Sequence, residues 1–190
     1  MYGTGLYPGY YNFKYPKAGE NNSKVSVHSY SVATKDIKEL KMPVDADSYI
    51  PRITFTTNSD QLAVMTLNRQ QNLFNMYYVN PKSGVSRLIL RDENKCYVDS
   101  EWLTSIHFNP NGFTYVSEQD GYSHIYLYSP TGVMQRQVTK GNWDVTRLIG
   151  YDDAAKVVYY ESAEESPLRR SVYKIDQKGV KTKLSENEGT

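Results

Sequence analysis

SEQDGYSHIYLYSPTG, residues 117–132, is the stretch on which the fold turns. It gathers Glu118, Asp120 and His124 around an Asp-Gly pair and then alternates, with His124 and Tyr126 on one side of an extended chain and Ile125 and Leu127 on the other. Loose acids and a histidine suggest a reactive site, whereas Asp-Gly between alternating runs is a hairpin signal. Recurrence decides between them, and the pattern recurs. SIHF, FTYVSEQ, SHIYLYS and VMQRQVT are separated by NPNG, DGY and PTG. Upstream, Ile53–Phe55, Gln61–Leu67, Leu73–Val79 and Val85–Leu90 are separated by TTNSD, NRQQN and NPKSG. Downstream, VTRLIGY, AKVVYYES, RRSVYKI and VKTKLS are separated by DDA, AEESPL and DQKG. Each unit is four short strands joined by turns rich in Gly, Pro, Asn and Asp.

The last turns of the three units align as NPKSG, SPTG and DQKG, which puts Gly84, Gly132 and Gly179 at separations of 48 and 47 residues. That is the period of a propeller blade. Glycine at these turns supplies a positive backbone dihedral without a Cβ penalty. Before the first full unit, KVSVHSYSV and IKELKM flank ATKD and read as one hairpin, with DADSYI and Pro51 as punctuation after it. The expected fold is all-β: a partial β-propeller of about three complete four-stranded antiparallel blades plus part of another. The approximate units are 25–49, 50–95, 104–140 and 143–185, with 1–24 as an interrupted blade or linker. A small independent sandwich, or a four-unit propeller with a degenerate first blade, are the alternatives. Closure takes about four blades or more, so an open arc is expected to expose terminal faces, with marginal stability or self-association as the result.

Composition narrows the function classes. The 190 residues suffice for the core of one ordinary domain, and 22 Lys plus Arg against 21 Asp plus Glu leave a net charge of +1. That balance gives no nucleic-acid footprint. No apolar run approaches the roughly 20 residues of a membrane-spanning helix, and MYGTGLYPGYY lacks the basic and apolar regions of a signal peptide. The single cysteine, Cys96, excludes an intrachain disulfide and any multi-cysteine metal site. Eighteen tyrosines against five phenylalanines suit strands whose rings pack while their hydroxyls reach a polar partner.

Chemistry-bearing motifs are missing. There is no G-x-S-x-G, H-E-x-x-H, P-loop or dinucleotide fingerprint, and no metal or cofactor is expected. His28, His107 and His124 are scattered and read as structural or surface residues. Arg69, where LNRQQN turns from strand to loop, is placed either to hold a carboxylate or carbonyl in a central cavity or to form a salt bridge at a strand end. Glu118 and Tyr122 border the Asp-Gly turn as candidates for substrate contact, against the plainer reading of turn residues. Trp102 and Trp143 precede repeat units and read as packing between blades; EESPLRR, with Glu164, Glu165, Arg169 and Arg170, reads as a solvated hairpin tip.

Beyond the strand grammar, NFKYPKAGENNSKVSVHSYSV (12–32), LNRQQNLFNMYYVNPKSG (67–84), SEQDGYSHIYLYSPTG and VTKGNWDVTRLIGYDDAAKVVYYES (138–162) resemble the N-terminal propeller of the dipeptidyl peptidase IV family of serine exopeptidases. The likeness runs from about Tyr7 to Ser185 and is closest to bacterial members of the Bacteroidetes type. It implies a propeller of about eight blades paired with a C-terminal α/β-hydrolase domain, and release of X-Pro or X-Ala dipeptides from free N-termini. It also implies a peptide substrate, a homodimer and a periplasmic or secreted location. The hydrolase domain would follow Thr190 and the amine-binding glutamate pair would precede Met1, so neither transfers to a residue of this sequence, and Glu164 and Glu165 do not take that role. On this resemblance Arg69, Glu118 and Tyr122 become substrate-chamber candidates, and the chain alone is expected to be inactive. A standalone protein-binding module, a glycan-binding protein, or part of an acylaminoacyl or tripeptidyl peptidase are the competing readings.

Overall fold

The computed structural model describes Leu6, Tyr7 and residues 9–186; residues 1–5 and 8 of the expected N-terminal linker, and 187–190 at the other end, lie outside the described residues. A hairpin of β1 (Val27–Tyr30) and β2 (Ile37–Leu40) comes first. Three four-stranded sheets follow. They are β3 (Tyr49–Phe55), β4 (Leu62–Leu67), β5 (Leu73–Val79) and β6 (Ser86–Glu93); β7 (His107–Asn109), β8 (Gly112–Ser117), β9 (His124–Tyr128) and β10 (Met134–Gln137); and β11 (Val145–Asp152), β12 (Val157–Ser162), β13 (Ser171–Ile175) and β14 (Lys181–Lys183). Neighbours in sequence are neighbours in each sheet, and the pairings are antiparallel. This is a partial β-propeller. One turn of 3-10 helix, Ser100–Thr104, starts on Asp99, whose side chain accepts from the Glu101 amide.

The connection 41–48 leads from β2 into β3 as later connections lead from β6 to β7 and from β10 to β11. By that correspondence β1 and β2 hold the third and fourth places of their blade. One local expectation needs correction. Pro51 does not punctuate: β3 runs through it from Tyr49, at an irregularity in register between Tyr49 and Arg52. An edge strand tolerates a missing N–H at such a shift, because no ladder bond is lost there. The Asp-Gly turn joins β8 to β9 in a hairpin as expected, but it is wider than the three residues DGY. Residues 118–123 form a longer loop between β8 and β9, with the Gly121 amide donating to the Glu118 carbonyl at 2.9 Å.

Burial explains why the strands read as they do. Every residue of β4 and β8 is buried, because each strand has a blade on both sides. From the β3–β6 sheet, Met65, Phe74 and Met76 pack against Phe113, Tyr115 and Tyr126 of the next. On its other face Leu62, Val64, Tyr77 and Val79 cover Val27 and Leu40 of the hairpin. Between the second and third full sheets, Val116 and Ile125 meet Val145, Val158, Tyr160 and Tyr173. Strand β12 instead alternates, Val158, Tyr160 and Ser162 buried while Val157, Tyr159 and Glu161 are half-exposed. Its outer-facing side lacks a following blade among the described residues.

Candidate functional site

In an antiparallel meander, the turn between the second and third strands lies at the same end as the connections that enter and leave the sheet. Here those segments are stitched into one face. The Asn94 and Val98 amides donate to the carbonyls of Asn72 and Gln71 at 2.9 Å each. Ser123 donates its amide to the Asp144 carboxylate at 2.8 Å, Val145 donates to the Ser123 carbonyl at 2.8 Å, and Ala163 donates to the Asp144 carbonyl at 3.0 Å. Arg69, Trp102, Glu118, Tyr122 and Trp143 all belong to this face. Gly84, Gly132 and Gly179, with φ of +79°, +87° and +85°, sit in the turns at the opposite face.

Arg69 pairs with Asp47 at 3.2 Å and donates to the Glu20 carbonyl at 2.9 Å, which pins the PKAGE turn to the first full blade. Asn22 reinforces the attachment by donating to the Asp47 carbonyl at 3.2 Å. Glu118 accepts from the Ser123 hydroxyl at 3.1 Å, so its carboxylate braces its own loop. Tyr122, partly exposed, overhangs a cleft of about 420 Å³ bounded by Trp143, Asp144, Glu164 and Arg170. The structure thus brings Glu118 and Tyr122 together on one loop and puts Arg69 on the corresponding loop of the preceding blade. Trp102 touches the cores on both sides of the second full blade. Trp143 stacks on Tyr160 at 6.4 Å and meets His124 edge-on at 5.1 Å.

His124 is fully buried and both ring nitrogens are engaged. Nε2 donates to the Gly141 carbonyl at 2.9 Å, and Nδ1 pairs with the Thr139 hydroxyl at 3.1 Å. The Ile125 amide donates to the same hydroxyl at 3.0 Å. This histidine, with no exposed surface, therefore ties β9 to the connection 138–144. Sequence reasoning missed Asp92, which accepts from the buried hydroxyls of Tyr115 at 3.0 Å and Ser117 at 2.7 Å, across two blades. Burial, and then the Asp92 charge, push the Tyr115 phenol well above its ordinary value, so it remains a donor. Partners 23 and 25 residues away leave no local signal.

At the end of the cleft, Lys181 bonds Glu164 and lies 5.8 Å from the Trp143 ring centre and 5.4 Å from that of Tyr173. Glu165 accepts from Lys183 at 2.8 Å and from the Tyr173 hydroxyl at 3.0 Å. These two bonds hold the Glu165 carboxyl below the ordinary range, as Lys156 and Asn111 do for Asp153. Both contributions to stability are complete above the unfolded values near pH 4 and are lost as pH falls through the lower folded values. Urea midpoints of the wild type and Glu165→Gln should differ by a constant amount above about pH 5 and converge as pH falls through the lowered folded value. A gap that widens in acid would contradict the sign. Among the described residues no group of three or more His, Cys, Asp or Glu is placed to hold a metal ion.

With this face in view, the comparison with known families is decisive: residues 1–190 match the family described as Dipeptidyl peptidase IV (DPP IV) N-terminal region. The chain belongs to that family. As a DPP IV N-terminal region it superimposes on the crystal structure of Porphyromonas gingivalis dipeptidyl peptidase 4 with a TM-score of 0.92 and 62% identity, over 100% of this chain and 27% of that one. Dipeptidyl peptidase 4 of Trichophyton rubrum is 29% identical over 178 residues, which cover 89% of this chain and 23% of the fungal protein. A putative dipeptidyl aminopeptidase IV from Bacteroides ovatus, 24% identical with a TM-score of 0.74 over 90% of this chain and 27% of that one, shares the fold. The DPP IV N-terminal region described here thus spans about a quarter of the length of these relatives.

Proposed function

We propose that this region is the non-catalytic propeller part of a dipeptidyl peptidase IV-like serine exopeptidase whose full chain releases X-Pro or X-Ala dipeptides from peptide N-termini. The observation that carries the reading is the 62% identity to the Porphyromonas gingivalis enzyme along the whole chain. In this reading a base-activated serine, supplied by a hydrolase domain, attacks the carbonyl after the penultimate residue, and an oxyanion hole steadies the tetrahedral intermediate. The blades gate and line the chamber. The face bearing Arg69, Glu118 and Tyr122 is the wall toward the substrate, with the cleft under Tyr122 as its concave feature.

The full protein is proposed to work in the periplasm or outside the cell as a homodimer, to be checked by cell fractionation and sedimentation. Support for a second copy comes from Tyr11, Phe13 and Tyr15. These alternate residues have ring centres 6.0 and 6.3 Å apart and are at least 67% exposed. Expressed from its complete reading frame, the protein should hydrolyse Gly-Pro-p-nitroanilide, whereas the 190-residue chain alone should not. Failure of the full protein to cleave it, or turnover by the purified chain, would overturn the proposal.

A further inference from the structure

The cleft under Tyr122 is built from two blades and pinned at one residue. Its walls are the loop 118–123 of the second full sheet and the turn 163–170 of the third, with Trp143 and Asp144 between them. Asp144 holds both walls: its carboxylate accepts the Ser123 amide at 2.8 Å, and its carbonyl accepts the Ala163 amide at 3.0 Å. The Val145 amide, donating to the Ser123 carbonyl at 2.8 Å, adds a third bond at the floor. Walls fixed before a ligand arrives lose little ordering entropy on binding, and about 420 Å³ falls within the range of ligand pockets.

The charges of the cleft cancel. Asp144, Glu164, Glu165 and Arg170 line it, and the ammonium groups of Lys181 and Lys183 bond Glu164 and Glu165. Behind the floor, Glu161 lies directly opposite Arg147 in the ladder. Counted whole, the segments 118–123, 138–147, 161–170 and 181–183 hold six acids and six bases. Such a surface favours neither a cationic nor an anionic ligand, since attraction and repulsion offset each other for either. Hydrogen-bonding capacity remains. Asp144 is exposed, and its second carboxylate oxygen has no partner among the described residues. Arg170 turns Nη1 to the carbonyls of Pro167 and Arg169, at 2.9 and 3.0 Å, and its Nη2 and Nε have no partner among the described residues. Tyr122, 37% exposed, makes neither a hydrogen bond nor a ring contact among them. The cleft therefore offers an acceptor, a donor and an aromatic ring without net charge.

We propose that this cleft holds an uncharged stretch of the peptide substrate beyond the released dipeptide. A main-chain N–H of that stretch donates to Asp144, a main-chain carbonyl accepts from Arg170, and an apolar side chain lies against Tyr122. Each peptide unit brings one donor and one acceptor, so the main chain answers both groups without adding a charge. The free amine at the head of the substrate is a cation, which a balanced cleft does not select; the chain further on need not be charged. The cleft's role rests on the chamber reading above and adds a preference for length, blind to charge, to it.

Two amidated peptides test this with the protein expressed from its complete reading frame: an octapeptide with proline second and uncharged side chains, and the tetrapeptide of its first four residues. They share the scissile bond, and the longer one reaches roughly 14 Å further. For the octapeptide kcat/KM should be higher by roughly fivefold or more, with the gain in KM. Tyr122→Ala/Arg170→Gln should reduce that gain to about twofold or less while keeping the wild-type circular dichroism melt. Arg91→Gln, which breaks an exposed ion pair on β6, is the control and should keep the gain. About 0.5 M salt, or Glu or Lys at two of the distal positions, should change it by less than about twofold. No gain from length in the wild type, a gain that survives the double variant, or a clear preference for the acidic or the basic octapeptide would each overturn the cleft's role. Turnover of Gly-Pro-p-nitroanilide by the wild type separates the two readings: with turnover, those results strike the cleft alone, and without it the peptidase reading falls and takes the cleft's role with it.

Discussion

Gly132→Ala is expected to destabilise the protein by about 2–4 kcal/mol, several times the loss from Gly179→Ala. The two glycines have nearly the same backbone, φ +87° and +85°, and equivalent places in their turns. Either substitution forces a side chain into the left-handed region, a cost of about 1 kcal/mol. They differ in what lies outside the turn. A Cβ on Gly132 would fall 1.9 Å from the Ile89 carbonyl oxygen and 2.8 Å from its carbon, which is backbone of β6 in the preceding blade. A Cβ on Gly179 meets nothing within 4 Å. The Gly132 turn, closed by its own amide to the Ser129 carbonyl at 3.0 Å, would have to lift off β6 and loosen the contact between two blades. Urea unfolding of both variants checks this; equal losses would mean that the turn does not rest on β6.

The second large effect is at Tyr160. Tyr160→Ala should cost about 3–5 kcal/mol, the range for deleting a fully buried aromatic side chain. The ring is fully buried, stacked on Tyr173 at 5.6 Å and on Trp143 at 6.4 Å, at the seam between the second and third full blades. Its hydroxyl is buried without a hydrogen-bond partner among the described residues. Burial, and the nearby Glu164 charge, raise its pKa far above the ordinary phenol, so the group stays neutral. Tyr160→Phe should therefore be neutral or slightly stabilising, because it removes an unsatisfied polar atom and keeps the stack. Tyr159, on the half-exposed face of the same strand, provides the control: Tyr159→Ala should cost clearly less than Tyr160→Ala in this chain. Thermal and urea melts of the three variants decide it, and a large loss from Tyr160→Phe would show that the hydroxyl has a structural partner.

The strand plan was legible because it depends on local chemistry. Turns need Gly, Asn, Asp and Pro at fixed places, and blades need short apolar runs between them. Pro51 misled because its missing N–H is costly only where a neighbouring strand would use it, and at the irregular start of β3 none does. SEQDGYS is the hairpin connection its Asp-Gly signals, and it is wider than DGY because Ser123 is bound to Asp144 and Glu118.

The site was less legible, since its contacts join segments far apart in the chain. Asp92 gains its role from hydroxyls on the next blade, and His124 gains its own from the connection that follows β10. Gly132 and Gly179 look alike in sequence and differ only in what the neighbouring blade puts beside them.

The most direct test of the central claim is the register of cleavage by the protein expressed from its complete reading frame. An octapeptide with proline second, and the same peptide with an acetylated N-terminus, would be incubated with it and the products weighed by mass spectrometry. The expected result is one N-terminal dipeptide and the matching hexapeptide from the free peptide, and an intact acetylated peptide. Release of a tripeptide or a single residue, or cleavage of the acetylated peptide, would contradict the account and assign these blades to a peptidase of different specificity.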